Sequence, residues 1–387
     1  MKVLHVIPSV GPRRGGPSVA AGAMCRALAE LGVEVRMACT NDDGAGVLDV
    51  PTGEWVPHEG VTTWFFQRRE ACGRALREFQ IGRGFGSWFS AEVGRWDVVH
   101  VHALFSYLPS SAMRIARRRG VPYVVRPLGV LEAYSLRRSA WKKRLFLRLF
   151  DGANLRGAAA VHLTSRREQE VSLIPGSAPR WVIPLGVDIP PAASAGQSSG
   201  SFRIVFLSRW HEKKRIGVLL EALGMVRELD WRLDLAGTGD DRLVAEVHRT
   251  VAALGLGERV SLPGFVSGDA KARLLDGADL FVLPSASENF GIAVAEAMAH
   301  GLPCVVTRHV ALSEEIAEAG AGWVCGDSAA GLADVLRAAI PDRAECRRRG
   351  GLARRLAINS FSWASCGEAL FAGYRRILSA GRTRRSA

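Results

Sequence analysis

Short, almost wholly apolar runs recur along this chain with helical stretches between them, and this pattern restricts the fold more than any other feature. The first half carries the runs Val3–Ile7, Val33–Cys39, Trp96–Val101 and Pro122–Val125, with a helical stretch from Pro17 to Leu31. The second half repeats the scheme with Phe202–Leu207, Trp231–Ala236, Asp279–Leu283 and Pro303–Val306. Helices are predicted there from Ile216 to Leu229, from Asp241 onward and over Ile292–Ala299. Strands that are apolar on both faces, separated by helices, belong in parallel α/β layers. Between the halves lies Ile189–Ser201, rich in Pro, Ser and small residues, which reads as a linker. The expected organisation is an N-terminal α/β domain over 1–188, a linker over 189–200 and a second α/β domain over 201–359. A length of 387 residues agrees with two domains plus connections, at about 150 residues per domain. Such a pair implies a cleft, with ligands beyond the carboxyl ends of the strands.

Composition excludes several classes. Hydrophobic residues at 48% and charged residues at 23% are globular values, not those of a disordered or collagen-like chain. No apolar stretch approaches the ~20 residues that span a bilayer. After Met1-Lys2 the first apolar run stops at Pro8, too short for a signal peptide, so a cytoplasmic protein is expected. The seven cysteines (Cys25, Cys39, Cys72, Cys304, Cys325, Cys346 and Cys366) are scattered, never spaced C-x-x-C, and read as reduced, mostly buried thiols. The net charge of +13 is unevenly placed. Residues 1–187 hold 26 basic against 15 acidic side chains, 188–359 hold 20 against 22, and 360–387 hold 5 against 1. A basic first half attracts polyanions: phosphorylated substrates, an anionic membrane or nucleic acid.

Three loops carry residues suited to binding phosphate. Pro8–Ser18 holds Gly15-Gly16 between a strand and a helix, where glycine permits close backbone approach and a helix start favours an anion. The same residues would serve a plain strand-to-helix turn, and the G-x-G-x-x-G spacing of dinucleotide sites is missing. Ser208–Arg215 (S-R-W-H-E-K-K-R) follows a strand and gathers several cations, which suit a diphosphate or a solvated loop. Pro284–Met298 is the most informative: Glu288 falls in a loop after a strand, Gly291 near the next helix start, and Glu296 inside an apolar helix. A carboxylate on a largely buried face needs partners such as donor groups or ligand hydroxyls. Two exposed acids at the start of a helix are the plainer alternative. His100 and His102 alternate along their strand and are read as pointing to opposite faces. With no third ligand nearby, that argues against a metal site. His102 is the better cleft residue, while His100 and His5 read as core histidines.

Together these motifs resemble the retaining glycosyltransferases of family 4, from Met1 to about Leu378. The resemblance rests on Gly15-Gly16, His100-x-His102, Ser208-Arg209 with Lys213-Lys214, Ala236-Gly237-Thr238-Gly239 and Glu288-x7-Glu296. It implies the GT-B fold: two Rossmann-like parallel α/β domains facing each other across a cleft, with a final helix, about Trp363–Leu378 within 360–387, crossing back to the first domain. It also implies a nucleotide-sugar donor, UDP- or GDP-linked, and transfer of a hexose with retention. Arg209 and Lys214 would bind the diphosphate, Glu296 the ribose hydroxyls, and Glu288 would lie near the transferred sugar. Gly15, Gly16, Gly237, Asn289, Phe290, Gly291 and Ile292 would line the donor. No Asp-x-Asp occurs, so no metal and no other cofactor is expected. Fixed cations would stabilise the departing diphosphate. The chain departs from the family at Arg126-Pro-Leu128-Gly129, where many relatives have His or Arg before the glycine. Arg126 and His102 are the acceptor-side candidates.

The segment Tyr134–Phe150 mixes Arg137, Arg138, Lys142, Lys143, Arg144 and Arg148 with Trp141, Leu145, Phe146, Leu149 and Phe150. At ~100° per residue the apolar side chains share a broad face, which Lys142 interrupts, with Arg137, Arg144 and Arg148 opposite. Such a segment suits peripheral contact with an anionic membrane at its cytoplasmic face, bringing in a lipid-linked acceptor, or an ordinary helix with a basic side. Arg382, Arg384 and Arg385 would add to the attraction. The expected reaction therefore builds polysaccharide or glycolipid on a lipid-linked or oligosaccharide acceptor. Alternatives are a transferase or synthase with a small soluble acceptor, and a basic nucleic-acid-binding protein. The chain has no recognised nucleic-acid module, so nucleic acid is not the expected partner.

Overall fold

The computed structural model describes residues 1–69, 79–132, 140–191 and 200–385. The chain forms two units, Met1–Gly186 with Trp363–Ala387, and Val187–Ser362. In the first unit, strands β1 (Lys2–Ser9), β2 (Glu34–Thr40), β5 (Trp55–His58), β6 (Val61–Phe66), β7 (Val98–His102), β8 (Tyr123–Arg126), β9 (Ala160–Leu163) and β10 (Arg180–Val182) form one sheet. A two-stranded hairpin of β3 (Asp42–Asp43) and β4 (Gly46–Val47) lies beside it. The large sheet runs in the order β10-β9-β8-β7-β1-β2-β6-β5. Its pairs are parallel except β5 with β6, an antiparallel edge that sequence periodicity had not marked.

The second unit holds β11 (Phe202–Leu207), β12 (Trp231–Ala236), β13 (Val260–Ser261), β14 (Leu280–Leu283), β15 (Cys304–Thr307) and β16 (Gly322–Cys325). All its pairs are parallel, in the order β13-β12-β11-β14-β15-β16. These are two Rossmann-like sheets. The residues of β7, β8, β14 and β15 are buried throughout, as expected of strands covered on both faces. Each fully buried Val, Leu or Phe contributes about 1.5–3 kcal/mol of transfer free energy. The helix predicted to run from Ile216 to Leu229 stops at Gly224, and the turn that follows gives the Val226 carbonyl to Trp231 Nε1–H at 3.0 Å. The six described cysteines are free and buried, and burial raises their thiol pKa values, Cys325 to about 11 and Cys346 and Cys366 to about 12.

The last helix, Trp363–Arg385, belongs to the first unit, although the residues just before it belong to the second. It packs on the helix Gly16–Glu30 and places Tyr374, fully buried, beside β7. There it meets a cluster of four buried histidines: His5, His100, His102 and His162. His100 and His102 share one face, their rings stacked with centroids 4.5 Å apart, because side chains two apart on a strand point the same way. The expectation that they diverge is thereby corrected.

A carbonyl that can only accept and a guanidinium that can only donate set the ring protons in turn. His162 Nε2–H donates to the Ile183 carbonyl (2.8 Å), leaving its Nδ1 to accept from His100 Nε2–H (3.4 Å). His100 Nδ1 then accepts the Tyr374 hydroxyl at 2.6 Å. On the other side Arg126 donates to His102 Nδ1 (3.4 Å), so His102 Nε2–H donates to His5 Nδ1 (2.9 Å). All four rings are neutral. Burial, with Arg126 and the neighbouring rings adding to it, lowers His5 and His162 to about 3 and holds His100 and His102 well below the usual range.

A histidine whose folded pKa is depressed stabilises the fold fully above its unfolded pKa of about 6.5, and this contribution is lost as pH falls toward the folded value. Stability should therefore drop between pH 6.5 and pH 5. In denaturant titrations at stepped pH, His5→Leu should flatten that slope by about 1.4 kcal/mol per pH unit, one proton's worth. An unchanged slope would mean that His5 is protonated in the native state.

Candidate active site

In the second unit the strand order reverses at β11, whose neighbours are β12 and β14. In open parallel sheets, ligands bind beyond the carboxyl ends at such a reversal. The loops leaving β11 and β14 meet there. The Ala286 N–H donates to the Lys213 carbonyl (2.7 Å), and the Lys214 ammonium pairs with the Glu288 carboxylate. Both side chains of that pair are half-buried, at 17% and 21% exposure. The Arg209 side chain stands exposed on the same β11 loop and makes no hydrogen bond or ion pair among the described residues. One cation paired through its side chain and one not thus stand on the loop at the reversal of strand order, and both are side chains able to bind an anion.

The neighbouring loop approaches so closely that only glycine fits. A Cβ at Gly237, whose φ is +124°, would lie 1.8 Å from the Ser208 carbonyl oxygen. Trp210, buried behind it, donates its backbone N–H to this loop's Thr238 carbonyl (2.8 Å). Gly237 is therefore required by the packing of two loops, whatever it also offers a ligand.

Beyond Glu288, Phe290 is buried edge-on to Phe361 (centroids 5.9 Å apart), and Asn289 is half-buried. Gly291, at φ +94°, caps the helix Ile292–Ala299 in the left-handed region that favours glycine. Glu296 lies between buried Ala295 and Ala297, and its carboxylate pairs with Lys271 at 2.6 Å. The alternative of two solvated acids does not hold, since Glu288 and Glu296 are each half-buried and each salt-bridged. Lys271 carries no sequence signal beyond its charge, because it comes from the separate helix Gly268–Asp276.

In the first unit, Gly15 and Gly16 join a short 3-10 turn to the helix Gly16–Glu30, with open space beside Gly15. Their loop is anchored on Asp42, a residue that sequence reasoning missed. Its fully buried carboxylate takes Arg14 at 2.6 Å, Arg68 at 2.5 Å and Gln80 at 2.8 Å. Desolvation raises its pKa, but those hydrogen bonds outweigh it and hold the carboxyl below its ordinary range.

The acceptor-side candidates lie deeper than expected. His102 has no exposed surface and Arg126 only 2%, because both point into the sheet's histidine cluster. In this arrangement neither is open to an acceptor. Burial lowers the Arg126 guanidinium to about 10, with buried Glu168 acting the other way, so it remains a cation at neutral pH. That cation opposes a metal ion. One ring nitrogen from each of His5, His100 and His102 lies within 4.8 Å of the others, but hydrogen bonds occupy every nitrogen of the three rings except His5 Nε2, and Arg126 stands against His102. Leu128, at the position before the glycine, adopts φ +60°.

Comparison with known proteins places this geometry. Residues 201–342 match the family described as glycosyl transferases group 1, and residues 15–184 the glycosyl transferase 4-like domain. A phosphatidyl-myo-inositol mannosyltransferase of Mycobacterium leprae is 30% identical over 304 residues, 74% of this chain and 75% of that protein. The fold is that of a sucrose-phosphate synthase from Thermosynechococcus elongatus (TM-score 0.74, 20% identity, 98% and 99% of the two chains). It is also that of Anabaena HepE in complex with UDP-glucose (TM-score 0.70, 20% identity, 98% and 100%). The chain belongs to the group 1 glycosyltransferases of family 4 and has the GT-B fold.

A half-exposed pair such as Glu296–Lys271 is worth about 1 kcal/mol at most. Glu296→Ala should therefore shift the melting temperature by only a few degrees. Loss of a charged hydrogen-bonding group facing a ligand should weaken nucleotide binding about 10- to 100-fold. Calorimetric titration with UDP and GDP measures this, and unchanged affinity would assign Glu296 to packing alone.

Proposed function

We propose that the enzyme moves a hexose, with retention at the anomeric carbon, from a UDP- or GDP-linked sugar to a lipid-linked or oligosaccharide acceptor in polysaccharide or glycolipid assembly. One observation carries this reading: Lys214 pairs with Glu288 where the second sheet reverses its strand order, with Arg209 on the same loop as Lys214. Departure of a nucleoside diphosphate builds negative charge at its terminal phosphate. Arg209 can grip that phosphate with two parallel N–H groups, and Lys214 meets it as a point charge. As the phosphate arrives, Lys214 exchanges its bond to Glu288 for bonds to phosphate oxygens, which frees the carboxylate for the sugar's hydroxyls. Cations fixed by the fold do the work that a metal ion does elsewhere, so transfer requires no metal or other cofactor. Glu296 takes the ribose hydroxyls, and the backbone from Asn289 to Ile292 passes along the sugar and phosphate.

The acceptor reading rests on the surface of the first unit. Trp141, Leu145, Leu149 and Phe150 stand 47–68% exposed beside Arg144 and Arg148. Phe146 turns inward instead, onto Phe105 and Phe79, so the expected apolar face is split between core and solvent. Arg137 and Arg138 lie outside the described residues. A cavity of about 490 Å³ next to this surface is lined by Arg114, Arg117, Arg118, Leu149 and Phe150 among others. Exposed aromatic and basic side chains together suit an anionic membrane surface, where each cation adds about 1 kcal/mol. No helix of the described residues is long and apolar enough to cross a membrane. Peripheral attachment at the cytoplasmic face fits a lipid-linked acceptor. The structural likeness to a sucrose-phosphate synthase keeps a small soluble acceptor as the second reading.

Two measurements test this. A thermal-shift series with UDP, GDP, ADP and their sugar conjugates should raise the melting temperature for one base selectively, since ligand bound only to the native state stabilises it by mass action. No shift at millimolar concentration would remove the donor assignment. Sedimentation with anionic liposomes should be lost in the variant Trp141→Ser/Leu149→Ser/Arg148→Ser while nucleotide binding persists. Equal sedimentation of variant and wild type would remove the membrane contact.

A further inference from the structure

Arg215 adopts φ +54° and ψ +44° immediately after Lys214, a left-handed conformation that a non-glycine residue holds only when its surroundings enforce it. The side chain of Arg215 reaches Asp327, which follows β16. Arg215 Nη2–H donates to the Asp327 main-chain carbonyl, and Nη1 lies 4.0 Å from Oδ1. The other carboxylate oxygen, Oδ2, is 3.1 Å from both His309 Nε2 and Arg308 Nη2. His309 leads directly to the remaining member of the site. Its carbonyl accepts the Glu288 N–H (3.1 Å), and the Glu288 carbonyl accepts the Ala311 N–H (3.2 Å). Asp327 therefore touches the residue that follows Lys214 and the residue that holds the Glu288 backbone. Partial desolvation raises its pKa, but the hydrogen bond and charge of His309 and the charge of Arg308 outweigh it, so the carboxyl stays ionised.

We propose that Asp327 is a positioning residue: through Arg215 and His309 it sets the separation of Lys214 and Glu288, and with it the affinity for a nucleoside diphosphate. This rests on Lys214 as a diphosphate ligand. Asp327 itself touches neither donor nor acceptor. Its effect is delivered through the backbone at 215 and at 288, from a loop that neither motif contains. Of the two connections, the one to Arg215 bears on Lys214 directly, since residue 215 fixes the direction in which the chain leaves the 3-10 turn Glu212–Lys214 for the helix Ile216–Gly224.

The left-handed turn supplies a specific test, because glycine takes that conformation without help. Asp327→Ala should weaken binding of UDP or GDP, whichever the wild type prefers, about tenfold, with a melting temperature within a few degrees of wild type. Arg215→Gly alone should alter affinity less than about threefold, since the turn survives. In the double variant Asp327→Ala/Arg215→Gly, glycine holds the turn without the Asp327 carboxylate, and most of the lost affinity should return. A structural role for Asp327 elsewhere would not be rescued in this way. Should Asp327→Ala fail to fold, Asp327→Asn, which keeps the volume and loses the charge, carries the same expectation and the same rescue.

The proposal is overturned if Asp327→Ala, or Asp327→Asn where the alanine variant does not fold, binds nucleotide as wild type does. It is also overturned if the double variant is as weak as the single, or if Arg215→Gly alone loses as much, because Arg215 would then itself grip the phosphate. Lys214→Ala separates the two readings. Unchanged affinity in that variant would bring down the diphosphate site and the clasp together, whereas weakened affinity beside an unaffected Asp327→Ala would remove only the clasp.

Discussion

The ion pair of Lys214 with Glu288 is the contact on which the second unit's site depends. It joins two loops that leave neighbouring strands at the reversal of strand order, and neither loop alone could fix both charges. Around it every close approach has a reason in backbone chemistry. Gly237 lets one loop lie against the Ser208 carbonyl, and Gly291 turns the chain from the Glu288 loop into a helix. Half-burial also strengthens the pair, since partial exclusion of water reduces screening. A lysine already partly desolvated and held by a single acid has met part of the cost of its ordering during folding.

The first unit is organised by a different constraint, a buried cation. Arg126 is nearly inaccessible, and the rings around it are kept neutral while hydrogen-bonding in pairs, His102 with His5 and His100 with His162. Because each ring nitrogen but His5 Nε2 has a defined role, the cluster specifies one arrangement of β1, β7, β8 and the last helix. Glu168 supplies the nearest compensating charge, and its own oxygens are taken by Gly129 and Thr164.

Much of this was legible in the sequence, for physical reasons. Phe202–Leu207 and Trp231–Ala236 were read to the residue because strands buried on both faces leave an unbroken apolar run. Glu296 stood out because a carboxylate within an apolar helix must have a partner. That the partner is Lys271 was not legible, since nothing in their spacing links the two. Asp42 and Asp327 were missed for the same reason: one is an acid in a two-residue strand and the other an acid in a loop, and the fold alone brings cations to each. The histidine strand was misread in the other direction. A period of two keeps His100 and His102 on one face, and their joint burial draws them away from solvent. The acceptor-side reading of His102 and Arg126 suffers with it, because polar residue types near a strand's carboxyl end do not reveal which side of the sheet they occupy.

The return of the last helix to the first unit has a consequence for how the protein is made. The sheet of that unit is nearly complete when Val182 has been synthesised, but the Tyr374 hydroxyl that satisfies His100 and the helix that covers Gly16–Glu30 are encoded beyond the whole of the second unit. At about 5–20 residues per second, the ribosome needs roughly 10–35 s to traverse residues 187–362. Throughout that interval the nascent first unit carries an uncovered apolar helix and a histidine lacking its hydroxyl donor. The second unit, contiguous in sequence, has all its strands once Ser362 has emerged. The N-terminal half of this enzyme is thus the last to reach its native state, and a chain that stops short of its final helix leaves that half open.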